Sequence, residues 1–340
     1  MWRVDNLDDE KTLMAMNTHK STEVSNVIDV AIIGGSFAGL SAAYPLVRAR
    51  RSTVMFHTGE TRNRFSAESH NWIGLDGVGP ESVHQSGIHE LAKYSDFSIV
   101  KDRVVRAQRS ETHQHLGVPI TELTTALGST IHARRVILAT GMRDTFPLDI
   151  EGLEDCWGQS VLQCPYCHGY EHRDVPTGIL HGGPPSLHQA KNLPDFTNDL
   201  VYFTNGAEIE ASDIADLEAR GYRVETGAVS SIEHHDGAMS AVALRGGTKI
   251  ASEALYIIPR AAFATDLHAQ LGCEEIEGPF GPYVTVDDLH ETTQRGVFAA
   301  GDMTRPAFNA VWAGADGNRA GIFAHQSLVS EHNPYRGARL

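Results

Sequence analysis

The chain has 340 residues, which favours about two domains, because a single hydrophobic core rarely grows beyond ~250 residues. Its formal net charge of −15 argues against nucleic acid and membrane-surface partners, since both require clustered Lys and Arg. No apolar run reaches the roughly 18 residues of a membrane span, and the N-terminal stretch lacks the apolar segment of a signal peptide, so we expect a cytoplasmic protein.

Residues 1–26 are polar and without period, and we predict that they form an extension outside the core. Residues 27–50 then pass from a β-branched apolar run through a glycine turn into a helical pattern, and residues 52–60 supply a second strand, which completes a βαβ unit. The turn reads GGSFAG over residues 34–39 and matches the dinucleotide fingerprint G-x-G-x-x-G, with serine at its second glycine. Such a turn presents helix N–H groups to a pyrophosphate, although a glycine-rich turn without a ligand stays an alternative.

Two later strand ends favour a flavin nucleotide at this turn. One predicted strand ends in Ala139-Thr140-Gly141, and another ends in Gly301-Asp302 and leads into a long helical stretch to residue 329. In flavoproteins with two dinucleotide folds, an aspartate so placed accepts a hydrogen bond from a ribityl hydroxyl, and the helix N-terminus faces the flavin pyrimidine. The order of the three elements along the chain predicts bound FAD.

The segment CPYCH, residues 164–168, is compatible with three chemistries: attachment of a c-type haem, half of a zinc site, or a dithiol that cycles with a disulfide. The missing signal peptide argues against haem. The chain has no second Cys-x-x-Cys and its histidines are scattered, so we expect no metal. Four cysteines are too few for a disulfide scaffold, which favours a redox-active pair of Cys164 and Cys167, with Cys156 and Cys273 as ordinary buried thiols.

Taken together, these motifs resemble the low-molecular-weight thioredoxin reductase family of FAD proteins over residues 27–330. Their combination is most similar to the small-molecule dithiol oxidases of the gliotoxin and holomycin oxidase type. The resemblance is carried by GGSFAG, TGETRNRF (58–65), SHNWIG (69–74), LATG (138–141), CPYCHGYE (164–171) and AAGD (299–302).

The resemblance implies an α/β fold with two Rossmann-like dinucleotide-binding domains, the second inserted in the first, and a homodimer. The FAD-binding domain would be discontinuous, spanning residues 27–147 and 262–330. The NAD(P)-binding-like domain that carries the cysteine pair would span residues 148–261, with a C-terminal tail at 331–340.

Roles for the residues of the cysteine segment also follow from the resemblance. Cys167 occupies the position of the flavin-proximal thiol, and Cys164 that of the outer thiol that forms a mixed disulfide with substrate. His168 stands where reductases carry an aspartate that acts as acid and base. With an ordinary pKa of ~6.5, histidine exchanges protons near neutral pH, although a residue that merely caps the helix is the alternative.

The resemblance further implies a set of FAD contacts. His57 replaces the acidic residue that usually holds the adenosine ribose, and its imidazole can still bond a hydroxyl. His70 and Asn71 resemble a His-Asn pair that either contacts the flavin or lines the substrate pocket, whereas His325 is expected in the core. The residues implied to contact FAD are Gly34, Ser36, Phe37, Ala38, Gly39, His57, Arg62, His70, Asn71, Val104, Ala139, Gly141, Asp302, Ala310 and Val311.

A second dinucleotide fingerprint is expected in the inserted domain, and residues 181–186 read HGGPPS where G-x-G-x-x-A is typical. His181 then stands at the tight turn, and the two prolines that follow lack the N–H groups that an anion would use. Beyond the next strand, Asn205, Glu208 and Glu210 stand where enzymes that use NADPH carry a basic cluster. We therefore predict that this domain keeps its fold and that its NADPH site is lost or much weakened.

The sequence thus predicts an FAD-dependent thiol-disulfide oxidoreductase that oxidises a small-molecule dithiol, with dioxygen as electron acceptor. An NAD(P)H-dependent reductase of a thioredoxin-like protein is one alternative. A non-catalytic flavin-binding redox sensor is an alternative of another class.

Overall fold

The computed structural model describes residues 27–146 and 149–330. The predicted N-terminal extension (1–26), the predicted tail (331–340) and residues 147–148 lie outside these ranges. The first segment of the described chain contains, in order, β1 (Val27–Ile33), α1 (Phe37–Arg48), β2 (Thr53–Phe56), α2 (Pro80–Leu91), β3 (Phe97–Val100), β4 (Val104–His115), β5 (Val118–Thr125), β6 (Thr130–Leu138) and β7 (Met142–Thr145).

A second segment follows, and the chain then returns to the first sheet. The second segment contains β8 (Val161–Leu162), α3 (Pro165–His168), β9 (Thr177–Leu180), α4 (Pro184–Gln189), β10 (Leu200–Phe203), α5 (Ala211–Ala219), β11 (Tyr222–Glu225), β12 (Val229–His235), β13 (Ala238–Leu244), β14 (Lys249–Ala251) and β15 (Ala254–Tyr256). The return contains β16 (Arg260–Phe263), α6 (Leu267–Gln270), β17 (Glu275–Gly278), β18 (Gly281–Val284), β19 (Val297–Ala299) and α7 (Ala310–Val329). We call β1–β7 with β16–α7 the first unit, and β8–β15 the second unit.

The main sheet of the first unit has, within the described residues, seven strands in the order β3-β2-β1-β6-β5-β4, with β19 paired to β6. Strand β1 runs parallel to β2 and β6, and β19 runs parallel to β6. Residues 29–33 of β1 are buried, as expected for a central parallel strand covered on both faces. The carboxyl ends of β1, β6 and β19 meet at one edge, which is where ligands of such sheets bind.

The second unit contains a sheet of five parallel strands, in the order β11-β10-β9-β15-β8 among the described residues, together with the antiparallel strands β12-β13-β14. The two sheets confirm the predicted α/β fold with two Rossmann-like units. Strands β7 and β16, which precede and follow the second unit along the chain, pair antiparallel with each other. The predicted boundary between residues 261 and 262 falls inside β16 and stays a prediction.

Helices α1 and α7 pack closely on one face of the first sheet. A Cβ on Gly317 of α7 would lie only 2.0 Å from the backbone oxygen of Ala38 in α1, so only glycine permits this approach. Because α1 starts at the fingerprint turn, this packing holds the start of α1 in place. None of the described helices combines the length and the apolar character that crossing a membrane requires.

Candidate active site

A cavity of about 780 Å³ lies between the two units and is bordered by residues of both. Its wall includes residues at the carboxyl ends of β1, β6 and β19 together with the cysteine pair. The predicted site residues that line it are Gly34, Ser36, Phe37, Ala38, His57, Arg62, His70, Val104, Ala139, Gly141, Cys164, Cys167, His168, Asp302 and Ala310. Gly39, Asn71 and Val311 do not line this cavity.

Two positions at the turn between β1 and α1 have no room for a side chain, because the turn packs closely against the end of β6 and against the first residues of α1. Gly34 has a φ of +109°, and a Cβ there would lie 2.0 Å from the backbone oxygen of Ala139. Gly39 packs back on the same turn, where its Cβ would lie 1.8 Å from the oxygen of Gly34. Ser36 is the N-cap residue of α1, and its side chain makes no cap hydrogen bond, which leaves the N–H groups of the helix start to a bound anion.

His57 follows β2 beside this turn. Its ring centroid lies 4.4 Å from that of His84, and its Cβ lies 2.9 Å from where a Cβ on Gly35 would stand. Burial, with a smaller contribution from the nearby His84, lowers the pKa of His57 to about 4. His57 is therefore a neutral imidazole near neutral pH, able to bond a hydroxyl group.

Arg62 joins two carboxylates inside the cavity. Its Nη1 donates to Oδ2 of Asp302 at 2.8 Å, and its Nε donates to Oδ2 of Asp144 at 2.9 Å. Burial lowers the pKa of Arg62, but the hydrogen bond to Asp144 and the charge of Asp302 more than offset this and raise it above its ordinary value. Burial raises the pKa of Asp302, with Arg62 opposing the shift. The guanidinium also lies 4.0 Å above the ring of Phe308.

The cysteine pair lines the same cavity and forms a disulfide between Cys164 and Cys167. Helix α3 is a single turn that starts after Cys164 with Pro165, whose missing N–H costs nothing at that position. The N–H groups of Cys167 and His168 donate to the oxygen of Cys164 at 3.1 and 3.2 Å. Among the described residues, no group of three or more His, Cys, Asp or Glu is arranged to hold a metal ion.

His168 lines the cavity directly after Cys167. Burial lowers its pKa to about 4, and the neighbouring His172 and His70 act in the same direction. His168 is therefore neutral at neutral pH and can accept a proton. A thiolate formed at Cys167 would place a negative charge nearby and raise the pKa of His168 as the proton arrives.

A family profile described as pyridine nucleotide-disulphide oxidoreductase matches residues 28–317, which is most of the chain. The chain belongs to this family. The finding agrees with a disulfide that shares a cavity with a dinucleotide turn.

Relatives of this oxidoreductase confirm the predicted resemblance. It is 30% identical over 322 residues to "Thioredoxin reductase tcpT" of Claviceps purpurea, covering 91% of this chain and 97% of the relative. It is 31% identical over 317 residues to "Thioredoxin reductase sirT" of Leptosphaeria maculans, covering 87% and 93%.

Solved structures agree with these relatives. The crystal structure of an oxidoreductase from Agrobacterium tumefaciens has a TM-score of 0.82 at 38% identity, covering 89% of this chain and 99% of that one. The crystal structure of HlmI has a TM-score of 0.84 at 31% identity, covering 91% and 95%.

Membership of the pyridine nucleotide-disulphide oxidoreductase family implies FAD, and the residues of the first turn fit this group. The close approach at Gly34 leaves room for a pyrophosphate, α1 offers N–H donors, and His57 can bond a ribose hydroxyl. Gly34, Ser36, Phe37 and Ala38 would hold the pyrophosphate. FAD, when bound, would supply a two-electron carrier in this cavity.

We expect the substitution Gly34→Ala to remove FAD from this oxidoreductase. The added Cβ would collide with Ala139 at a positive φ that L residues rarely adopt. Wild-type protein should purify yellow, with noncovalent FAD released on denaturation, whereas the variant should lack visible flavin absorbance. Gly128→Ala is the matched control, because Gly128 also has a positive φ of +87° and its Cβ would meet nothing within 4 Å. A yellow Gly34→Ala protein would show that the turn does not hold the cofactor.

The second dinucleotide turn of this oxidoreductase is closed by its own side chains. The N–H of Gly182 donates to Oγ of Ser186 at 3.0 Å, and that hydroxyl donates to the oxygen of Gly183 at 2.7 Å. The hydroxyl oxygen of Tyr202 lies 2.7 Å from Nδ1 of His181 and 2.9 Å from Oγ of Ser186.

The helix after this turn offers little to an anion. Helix α4 is only six residues long and starts with Pro184 and Pro185, which have no N–H to donate. The side chain of Asn205 accepts from the N–H of Val229 at 2.8 Å, and Glu208 and Glu210 are exposed beyond it. The residues of the second turn therefore do not fit the pyrophosphate and 2′-phosphate of NADPH.

Asn309 and Asp144 are among the cavity residues of this oxidoreductase that were not predicted from the sequence. Asn309 caps α7, and its Oδ1 accepts from the N–H groups of Val311 and Trp312 at 2.9 and 3.3 Å. An asparagine directly before a long helix is typical of an N-cap, so the sequence contained that signal. Asp144 has no such signal, because its partner Arg62 lies 82 residues away.

Proposed function

We propose that this oxidoreductase oxidises a small-molecule dithiol to a disulfide and passes the electrons through FAD to dioxygen. One observation carries the proposal: the cysteine pair and the first dinucleotide turn share a cavity, while the second turn is closed by Ser186 and two prolines. An enzyme without a nicotinamide site must receive its electrons from a substrate dithiol. Dioxygen is the simplest acceptor for them.

In the proposed reaction, a substrate thiolate attacks Sγ of Cys164, the bond between Cys164 and Cys167 breaks, and Cys167 leaves as a thiolate. The second substrate thiol then attacks the substrate sulfur of the mixed disulfide, which releases Cys164 and the product disulfide. Two electrons and two protons have then passed from the substrate to the protein. Re-formation of the Cys164–Cys167 disulfide would release these two electrons and two protons again, and bound FAD would supply the two-electron chemistry that passes them to dioxygen, with hydrogen peroxide as the product.

His168 is the proposed proton acceptor. Its imidazole is neutral at neutral pH because burial lowers its pKa to about 4, and it lines the cavity beside the leaving Cys167. A neutral histidine can take the proton of the second substrate thiol and so generate the thiolate that attacks.

Reduction of the bound flavin by different donors tests the proposal. Under anaerobic conditions, we expect NADPH and NADH to bleach the flavin absorbance slowly or not at all. Dithiothreitol, used as a model dithiol, should bleach it, and admitting air should restore the colour with formation of hydrogen peroxide. The reason is that the closed turn at Gly182 withholds the donors that a nicotinamide dinucleotide needs.

The names of the relatives favour a second candidate, an NAD(P)H-dependent reductase of a thioredoxin-like protein. The same experiment separates the two functions. Rapid stoichiometric bleaching by NADPH, followed by reduction of thioredoxin, would overturn the oxidase proposal and support the reductase.

A further inference from the structure

The loop of residues 69–78 in the first unit is closed by backbone hydrogen bonds and contacts the turn that carries the cysteines. The N–H of Ser69 donates to the oxygen of Val78 and the N–H of Gly77 to the oxygen of Ser69, both at 3.0 Å, so the loop is closed at its base. Within it, the ring of Trp72 lies 4.9 Å from that of Phe37 at the start of α1. The loop is therefore tied to the dinucleotide turn.

Asn71, at the tip of this loop, contacts the turn that carries the cysteines. Its Nδ2 donates to the backbone oxygen of Tyr166 at 2.6 Å, across 95 residues of sequence. Two other carbonyls of this turn are bonded within the second unit, since the N–H of Gly169 donates to the oxygen of Pro165 at 2.7 Å and the N–H of His172 to the oxygen of His168 at 3.2 Å. The Tyr166 carbonyl takes its donor from the first unit.

The backbone of Asn71 prepares its side chain for this contact. Asn71 has a φ of +66°, a left-handed conformation that asparagine tolerates better than most residues. Its N–H donates to Oδ1 of Asp76 at 3.1 Å, which anchors the residue to its own loop. Next to it, Nε2 of His70 lies 3.5 Å from Oε1 of Glu171, so a second contact crosses between the units at the same place.

We propose that Asn71 is a positioning residue that holds the turn of Cys164 and Cys167 in the cavity. The proposal rests on the proposed function only in that Cys167 reacts beside FAD. Asn71 donates a hydrogen bond to the single turn of α3, and its loop is packed against the start of α1 at the dinucleotide turn. The contact couples the position of the disulfide to the position of the cofactor site.

Two substitutions test the role of Asn71. Asn71→Asp keeps the shape but replaces the donor by a carboxylate that repels the Tyr166 oxygen, and Asn71→Gly removes the side chain while suiting the positive φ. Asn205→Asp is the matched control, because Asn205 also has a positive φ, of +55°, and its Oδ1 serves as an acceptor that aspartate retains.

The first readout does not depend on dithiol oxidation. The FAD-loaded proteins are treated with a phosphine reductant, and reduction of the Cys164–Cys167 disulfide is followed by alkylation and mass spectrometry. A net hydrogen bond contributes about 1 kcal/mol, which changes the equilibrium between the docked and the undocked turn roughly fivefold. We therefore expect the disulfide of both Asn71 variants to be reduced roughly fivefold faster or more than that of the wild type. The disulfide of Asn205→Asp should be reduced at the wild-type rate.

The second readout reports the position of the thiol. In proteins that also carry Cys164→Ser, the long-wavelength absorption of the Cys167 thiolate beside FAD should weaken in both Asn71 variants at unchanged FAD content. If the Cys164→Ser protein with Asn71 intact already lacks this absorption, the assignment of Cys167 fails, and the phosphine rates still decide the role of Asn71.

Three results would overturn the proposal. Wild-type phosphine rates in both Asn71 variants would make the contact incidental. An effect of Asn71→Asp without one of Asn71→Gly would assign the change to introduced repulsion. Loss of FAD from both variants would make Asn71 a cofactor contact instead.

Discussion

Replacing Cys167 by serine is expected to abolish dithiol oxidation, with a fall of roughly 10³-fold or more in rate, because the two cysteines act as a unit. With Cys164 alone, a substrate thiol has no disulfide to attack, so the electrons of the substrate cannot reach FAD. Cys164→Ser should be equally inactive. Steady-state oxidation of dithiothreitol, followed as peroxide release, measures the effect.

The spectra of the two variants separate the roles of the thiols. Cys164→Ser leaves a thiolate at Cys167 and should show a long-wavelength charge-transfer band with oxidised FAD, whereas Cys167→Ser should not. The reverse pattern would exchange the two roles. Cys273→Ser is the matched control, since the buried Cys273 contacts Oγ1 of Thr292 at 3.4 Å and a serine can keep that contact. Full activity in Cys167→Ser would show that the cysteine pair is not the catalytic centre, and absence of dithiol oxidation in the wild-type protein would favour the non-catalytic flavin-binding sensor.

Replacing His168 by asparagine should lower dithiol oxidation by roughly 10²-fold, because asparagine retains hydrogen bonding but cannot transfer a proton. The effect of this substitution on the rate should depend on pH. Burial lowers the pKa of His168 to about 4, so its proton-accepting form persists well below the ordinary histidine value of ~6.5 and is lost only as pH falls through about 4. The ratio of wild-type to variant rate should be large at neutral pH and shrink as pH approaches 4.

His172 offers the control for this substitution. It follows one turn after His168, burial also lowers its pKa, and it does not line the cavity. His172→Asn should therefore leave the rate near the wild-type value. If His168→Asn also oxidised dithiols at the wild-type rate, His168 would be a helix cap, as the alternative interpretation of the sequence holds.

Much of the fold could be predicted from local patterns. The apolar run of β1, the glycine turn and the small-residue helix α1 are encoded within about twenty residues, so 27–48 were predicted as strand, turn and helix. The order of the three strand ends placed Gly34, Ala139 and Asp302 at one site, and the structure brings all three to one cavity. Parallel strands carry such residues to a common edge, which is why order alone was informative.

Contacts between distant segments could not be predicted in this way. The ion pair of Arg62 with Asp144 and the hydrogen bond of Asn71 to Tyr166 join residues 82 and 95 positions apart, and neither follows a period or a motif. At the second turn, the sequence itself showed that Pro184 and Pro185 provide no backbone N–H donors. The hydroxyl of Ser186, which takes the N–H of Gly182, became visible only once the backbone was folded.

The closed second turn also bears on how a nicotinamide site could be engineered into this unit. Ser186 holds a backbone donor, and Pro184 and Pro185 provide none. Exchanging any one of these residues leaves the other two in place. Restoring the donors that a pyrophosphate uses would therefore require all three substitutions together.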